Sequence, residues 1–163
     1  LRITDSGQFS ANGRDEAEFY LAVNPGEPVK ALGNIASGGE LSRIMLALKA
    51  VLADEEDTPT LIFDEIDAGI SGITAGRVAE KLRLIGKSRQ VICITHLPQI
   101  AAAADVHFVI KKEAEGNSVQ TSIQVLDEEA SIGELARLLG GASVTEHIVE
   151  SAREMKELAK SER

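Results

Sequence analysis

The sequence predicts an α/β fold: a mainly parallel sheet with flanking helices and an antiparallel hairpin. Two apolar runs, Thr60–Phe63 and Val91–Ile94, do not alternate polar with apolar residues. That pattern suits strands buried on both faces of a parallel sheet. Between the runs, Ala75, Val78, Ala79, Leu82 and Ile85 recur at three- and four-residue steps, as on the apolar face of a crossover helix. Downstream, Asp105–Lys112 and Ser118–Val125 do alternate, around a Glu-Gly-Asn turn, as the arms of a hairpin do.

The remaining elements follow in order. Arg2–Asp5 and Glu18–Val23 read as short strands, with Phe19, Leu21 and Val23 alternating against Glu18, Tyr20 and Ala22. The Gly/Ser/Asn-rich stretch between them suits a hairpin. Asn24-Pro25-Gly26-Glu27-Pro28 breaks the chain, and a loose segment of small residues leads to Ser37. A helix is expected from Gly38 to about Ala53, its apolar face formed by Leu41, Ile44, Met45, Leu48, Val51 and Leu52. Ser37 and Glu40 form a capping box that places Ser37 at the N-cap. The acidic run Asp54–Asp57 reads as a solvated loop, and Pro98–Ala104 as a short helix. Two closing helices carry the capping boxes Ser131…Glu134 and Ser143…Glu146, and the last buries Ile148, Ala152, Met155 and Ala159. No repeat, low-complexity tract or interdomain linker interrupts the chain, so residues 1–163 form one α/β unit.

Composition narrows the function classes. At 163 residues and 44% hydrophobic, the chain can bury a real core. Net charge is −9, from 26 acidic and 17 basic residues, and the longest basic cluster is the pair Lys111-Lys112. A direct grip on nucleic acid by this segment is therefore disfavoured. No apolar run approaches the roughly 18 residues of a membrane span, and the start does not resemble a signal peptide. The lone Cys93 sits in an apolar run as a core residue and can form no internal disulfide, which fits a reducing cytoplasm. The chain opens at Leu1 and runs straight into strand-like sequence, which reads as part of something longer.

Three places carry chemistry. Asp64-Glu65 directly follows the first apolar run, at the carboxyl end of a strand where ligands of open α/β sheets collect. Two adjacent carboxylates there suit a hydrolytic Mg–nucleotide site, the first for the metal's water shell and the second for the proton of an attacking water. An acidic strand end facing solvent is the plainer explanation. Ser37-Gly38-Gly39 opens a helix, where unpaired N–H groups and the helix dipole favour an anion and glycines allow close approach. It also serves simply as a flexible helix start. Thr95-His96 ends the second run, so His96 should lie at the same sheet edge, within reach of a terminal phosphate or a water. A satisfied structural histidine fits as well. His107 and His147 have no such placement.

Order and spacing add what the single pieces lack. A helix opened by Ser37-Gly38-Gly39-Glu40, a strand ending in Asp64-Glu65 and a strand ending in Thr95-His96 resemble the signature motif, Walker B and switch histidine of ABC ATPases. The wording is narrower still. Ser37–Arg43 with Ile44–Lys49, Phe63–Gly72, Thr95–Ala101 and the approach Asn24–Pro28 are similar to the RecN family of SMC-like ABC ATPases, and the likeness spans most of the chain.

That resemblance implies the C-terminal lobe of an ATPase head, in a cytoplasmic protein with a long coiled coil between the head's two halves. Such proteins act in recombinational repair of DNA double-strand breaks. It implies ATP and Mg²⁺ as cofactors: Ser37, Gly38, Gly39 and Glu40 meet nucleotide held by a second head, Asp64 serves Mg²⁺, Glu65 is the catalytic base and His96 senses the γ-phosphate. The loop Asp67–Gly72 would lie at the interface of an ATP-dependent homodimer. Ser71 stands where many ABC proteins have an aspartate, which puts any role of that carboxylate in doubt. No G-x-x-x-x-G-K-[ST] occurs in these residues. Its place in SMC-like proteins is the N-terminal half of the head, so that half is an expected partner and this segment alone is expected to be inactive. DNA would be engaged through the complete protein. Two other readings remain: the head of another ABC ATPase, either SMC-like or a transporter's nucleotide-binding subunit, and a non-catalytic dimerisation module. Transporters usually carry Gln where Glu40 stands, and retention of Ser37, Asp64, Glu65 and His96 together argues against decay.

Overall fold

The computed structural model describes residues 1–22, 26–34, 37–52, 58–115 and 118–161. Val23, Asn24, Pro25, Ile35, Ala36, Ala53, the acidic run 54–57 and Gly116-Asn117 of the expected turn lie outside the described residues.

The chain starts with a hairpin of β1 (Arg2–Ser10) and β2 (Gly13–Glu18), turning at Ala11-Asn12. The stretch expected to form a hairpin does so and supplies much of both strands. Hydroxyls explain this: Ser6 Oγ donates to the Arg14 carbonyl at 2.7 Å and Ser10 Oγ to that of Gly13 at 2.8 Å, holding a polar ladder together. The expected second strand is split at Phe19. Its latter part, β3 (Tyr20–Leu21), pairs antiparallel with β4 (Lys30–Ala31).

Helix α1 (Gly38–Val51) begins as expected, with Ser37 Oγ accepting the Glu40 N–H at 3.5 Å. The face it buries is a different one. Gly39 and Leu46 are buried, whereas Leu41, Met45, Val51 and Leu52 are exposed. Ile44, Leu48 and Val51 of the apolar stripe line a groove shared with Phe19–Ala22 and Leu32. The helix docks through the neighbouring edge, where Leu46 enters the core and Arg43 reaches the loop at 66–68.

The expected crossover unit is present. β5 (Thr60–Phe63) and β6 (Gln90–Cys93) pair in parallel, Phe63 opposite Cys93, and α2 (Gly72–Gly86) lies between them in sequence. All five residues expected on the buried face of α2 are buried. Burial on both faces of the strands is not found: Leu61 and Phe63 point into the core, while Ile62, Ile92 and Ile94 are exposed. Among the described residues the parallel sheet has two strands, and helices cover one side. The first core joins Leu46, Leu61, Phe63, Ile66, the α2 face and Ile100.

Short α3 (Pro98–Ala102) leads to the hairpin of β7 (Phe108–Glu115) and β8 (Ser118–Val125), with Phe108 opposite Val125 and Ile110 opposite Ile123. Asp105–His107 precede the strand rather than opening it. In α4 (Glu128–Gly140) the cap is Asp127, whose carboxylate accepts the Ala130 N–H at 2.8 Å. Ser131, expected as a cap, sits a turn inside and is buried, while Glu134 pairs with Arg137 instead. Helix α5 (Glu146–Ser161) starts from Thr145, whose carbonyl accepts from Val149, and not from Ser143. Its stripe is as expected: Ala152 is buried, and Ile148, Met155 and Ala159 pack on a second core with Ala101, Ala102, Ile132, Leu135 and Ala136.

Candidate functional site

The parallel register brings the chemistry-bearing residues to one edge. Ile94 N–H donates to the Phe63 carbonyl at 3.0 Å, so the chain leaves both strands at the same end, with Asp64-Glu65 after one and Thr95-His96 after the other. Asp64 and Glu65 are both exposed, and the Asp64 carboxylate accepts the Glu65 N–H at 2.9 Å. Glu65 adopts φ 55, the left-handed region, which costs a side-chain-bearing residue about 1–2 kcal/mol. The surroundings enforce it, since the Glu65 carbonyl accepts from Ala68 N at 3.0 Å in the tight turn that follows.

The start of α1 lies against this turn. A Cβ on Gly39 would stand 2.8 Å from the Ala68 Cβ and 2.9 Å from the Glu65 carbonyl oxygen, and one on Gly38 would stand 2.8 Å from Glu65 Oε2. At Gly39, where the neighbours are backbone and a Cβ, only glycine permits so close an approach; at Gly38 the neighbour is the movable end of the Glu65 side chain. The next helical turn clasps the same loop: Ser42 Oγ donates to the Asp64 carbonyl at 3.0 Å, and Arg43 Nη1 donates to the carbonyls of Ile66 at 3.1 Å and Ala68 at 2.9 Å. Residues far apart in sequence thus form one patch.

Asp67 ties that patch to His96. Its side chain is buried, and Oδ2 accepts the Thr95 hydroxyl at 2.6 Å and the His96 N–H at 2.7 Å, with His96 Nδ1 at 2.9 Å. Burial pushes this carboxyl's pKa up, but the Thr95 hydroxyl, the His96 N–H and the nearby imidazole outweigh it and hold it below the usual carboxylate range. Thr95 Oγ1 in turn accepts the Leu97 N–H at 3.0 Å. The His96 side chain itself is 71% exposed.

Cys93 is half-buried against the first core, and burial, followed by the charges of Asp67 and Asp64, pushes its thiol up to about 12. It is an inert packing residue. His107, unassigned from sequence, has its Nδ1 2.8 Å from Ser131 Oγ and joins the hairpin base to α4. Burial, then the charge of Lys156, lowers its pKa against the opposing pull of Glu134.

Sequence reasoning missed Asp67, Ser42 and Arg43. A carboxylate two residues beyond a Walker-B-like pair reads as part of an exposed loop, and only the pairing of strand ends reveals the donors converging on it. Within the loop Asp67–Gly72 the outward residues are Gly69, Ser71 and Gly72, whereas Asp67 points inward. Among the described residues no three of His, Cys, Asp and Glu form a metal cage, and no helix is long and apolar enough to cross a membrane.

Fold and residue order together define an α/β unit in which a parallel strand pair and the start of a helix bring Ser37–Glu40, Asp64-Glu65 and Thr95-His96 to one edge. No protein-family model matches the chain. It is 49% identical over 153 residues to the DNA repair protein RecN of Halalkalibacterium halodurans, covering 94% of this chain and 27% of that protein. It is 45% identical to RecN of Vibrio cholerae and 41% identical to RecN of Bacillus subtilis, over 93% and 91% of this chain. The chain belongs to the RecN family, and it spans about a quarter of the length of the relatives it matches. A solved chain from work on ATP-driven dimerization and DNA stimulated activation of SMC ATPases overlaps 72% of this chain and 70% of its own, at 25% identity and a TM-score of 0.49.

Proposed function

We propose that residues 1–163 are the C-terminal segment of the head of an SMC-like ATPase that acts in recombinational repair of DNA double-strand breaks. One observation carries the reading: the start of α1, the Asp64-Glu65 pair and His96 converge on one edge, α1 bonded through Ser42 and Arg43 to the carbonyls of Asp64, Ile66 and Ala68, and His96 bonded to Asp67. The relatives named DNA repair protein RecN supply the biological setting.

In this reading ATP and Mg²⁺ are the cofactors. The residues fit them. Mg²⁺ keeps several waters and binds phosphates with one or two carboxylates, so Asp64 suffices although the described residues form no full protein cage. Bound there, the ion would neutralise charge on the phosphates. Glu65, exposed beside it, takes the proton of the attacking water. His96 meets the terminal phosphate. Ser37, Gly38 and Gly39, with Glu40 in the first turn, present N–H groups and the positive helix end to the phosphates of nucleotide held by a second head. Turnover needs the phosphate-cradling loop of the head's N-terminal half, so this segment alone is inactive. The complete protein forms an ATP-dependent homodimer in the cytoplasm and engages DNA by surfaces other than this acidic segment.

Two substitutions in the complete protein test the shared site. Glu65→Gln keeps shape and contacts, so ATP still binds and heads stay joined while hydrolysis falls about 10²–10⁴-fold. Ser37→Arg places a bulky cation between heads, so ATP binds but association is lost. Sedimentation with and without ATP, beside a nucleotide-binding measurement, separates the two. A Glu65→Gln protein that stays monomeric with ATP, or a Ser37→Arg protein that dimerises like wild type, overturns the mechanism.

A further inference from the structure

We propose that Asp67 is the positioning residue for His96, holding the imidazole with Nδ1–H turned inward and Nε2 presented at the exposed edge to the terminal phosphate. The proposal rests on the reading of His96 as the group that meets that phosphate.

Three donor positions converge on a single oxygen. Asp67 Oδ2 lies 2.6 Å from the Thr95 hydroxyl, 2.7 Å from the His96 backbone nitrogen and 2.9 Å from His96 Nδ1. Backbone and ring of His96 are thereby referenced to the same atom, which fixes where the side chain starts and how the ring is turned. An ionised carboxylate accepts hydrogen bonds and donates none, so the ring nitrogen facing it carries the proton. Nδ1–H is the less common tautomer of a free neutral imidazole, and here the carboxylate selects it.

Asp67 can impose this geometry because it is itself immobile. Its side chain is 5% exposed, and Arg43 grips the carbonyls on either side of it, those of Ile66 and Ala68. The His96 ring, by contrast, is largely open to solvent, so the bond to Asp67 does much to orient it. Second partners of this kind, bonded to the far nitrogen of a working histidine, typically contribute about 10–100-fold where they have been removed from metal sites.

A purely architectural Asp67, joining two loops, predicts different results in a double-mutant cycle of ATP turnover by the complete protein. If Asp67 acts through His96, Asp67→Ala lowers kcat about 10–100-fold with KM for ATP little changed. The double variant Asp67→Ala/His96→Ala is then no slower than His96→Ala alone. Asp67→Asn keeps an acceptor oxygen and recovers part of the loss. Running the cycle with Asn as well keeps it decisive if the alanine variant misfolds. Ring ¹⁵N shifts of His96 supply the second readout, showing Nδ1–H in the wild type and a shift toward Nε2–H in the variants. Multiplicative losses in the double variant, or an unchanged ring spectrum in both Asp67 variants, overturn the proposal. Wild-type turnover by His96→Ala alone would instead sink the phosphate-contacting role of His96 on which the proposal rests.

Discussion

Gly39 and Gly140 put the same question to a methyl group and receive different answers. At Gly39 a Cβ meets the Ala68 Cβ at 2.8 Å and the carbonyl oxygens of Glu65 and Ala68 at 2.9 and 3.1 Å, none of which can swing aside. Overpacking of that kind costs about 1–3 kcal/mol, and relief requires moving the turn that carries Glu65. At Gly140 the obstacle is Ile148 Cδ1 at 2.7 Å, the far end of a flexible side chain, and at this last position of α4 a replacement recovers only part of the about 0.5–1 kcal/mol that a mid-helix glycine costs. Gly39→Ala should therefore lower the urea midpoint and turnover together, while Gly140→Ala leaves both nearly unchanged. Equal losses from the two would show that the approach of α1 to the turn is looser than described. At this scale the sequence was legible where residue type is forced: Ser37, Gly38 and Gly39 at a helix start, Asp64-Glu65 after a strand. Asp67 was not legible, because nothing local distinguishes a buried acid with three donors from a solvated one.

Among the elements, α2 was read most fully and α1 least. The α2 stripe is buried whole because one apolar face meets one sheet face. In α1 two edges compete, and the polar grip of Arg43 on loop carbonyls, invisible to periodicity, helps decide which edge docks. The closing pair α4–α5 combines apolar packing with ion pairs, Glu128 with Lys160 and Glu129 with Arg153. The Lys160 ammonium holds the Glu128 carboxyl below its ordinary 4.5, and the Arg153 guanidinium does the same for Glu129. Folded carboxylates with depressed pKa values contribute stability that is present above the unfolded value and disappears as pH falls through the folded one. The thermal midpoint should thus be flat from neutral pH down to about 4.5 with respect to these pairs, and decline below it. Both pairs are exposed, so the slope should be shallow and flatten in high salt. A Glu128→Gln/Glu129→Gln variant should show less of the decline; an identical acid profile would assign it to other carboxylates.

For the molecule as a whole, fold class followed from local patterns, whereas burial did not. Thr60–Phe63 and Val91–Ile94 were expected to be covered on both sides, yet Ile62, Ile92 and Ile94 are open, since a run of apolar residues does not say how many layers will pack on it. The pairing partner of Tyr20–Leu21, the two-residue strand Lys30–Ala31, was likewise not encoded by any local pattern. A different consequence follows from the two cores, which meet at the five residues of α3: Ile100 belongs to the first, Ala101 and Ala102 to the second. A second tie is the Arg83 guanidinium on the Ala159 carbonyl at 3.1 Å. The second core is built largely of alanines, which bury less apolar area per residue. Unfolding should therefore proceed in two cooperative steps, and native-state hydrogen exchange should give α4 and α5 a common opening free energy below that of β5, α2 and β6. Arg83→Ala should widen the gap, and a single shared value for all five elements would mean that α3 welds the cores into one unit. In the partly opened form the closing helices are loose while Asp67, Thr95 and His96, anchored on the first core, keep their bonds.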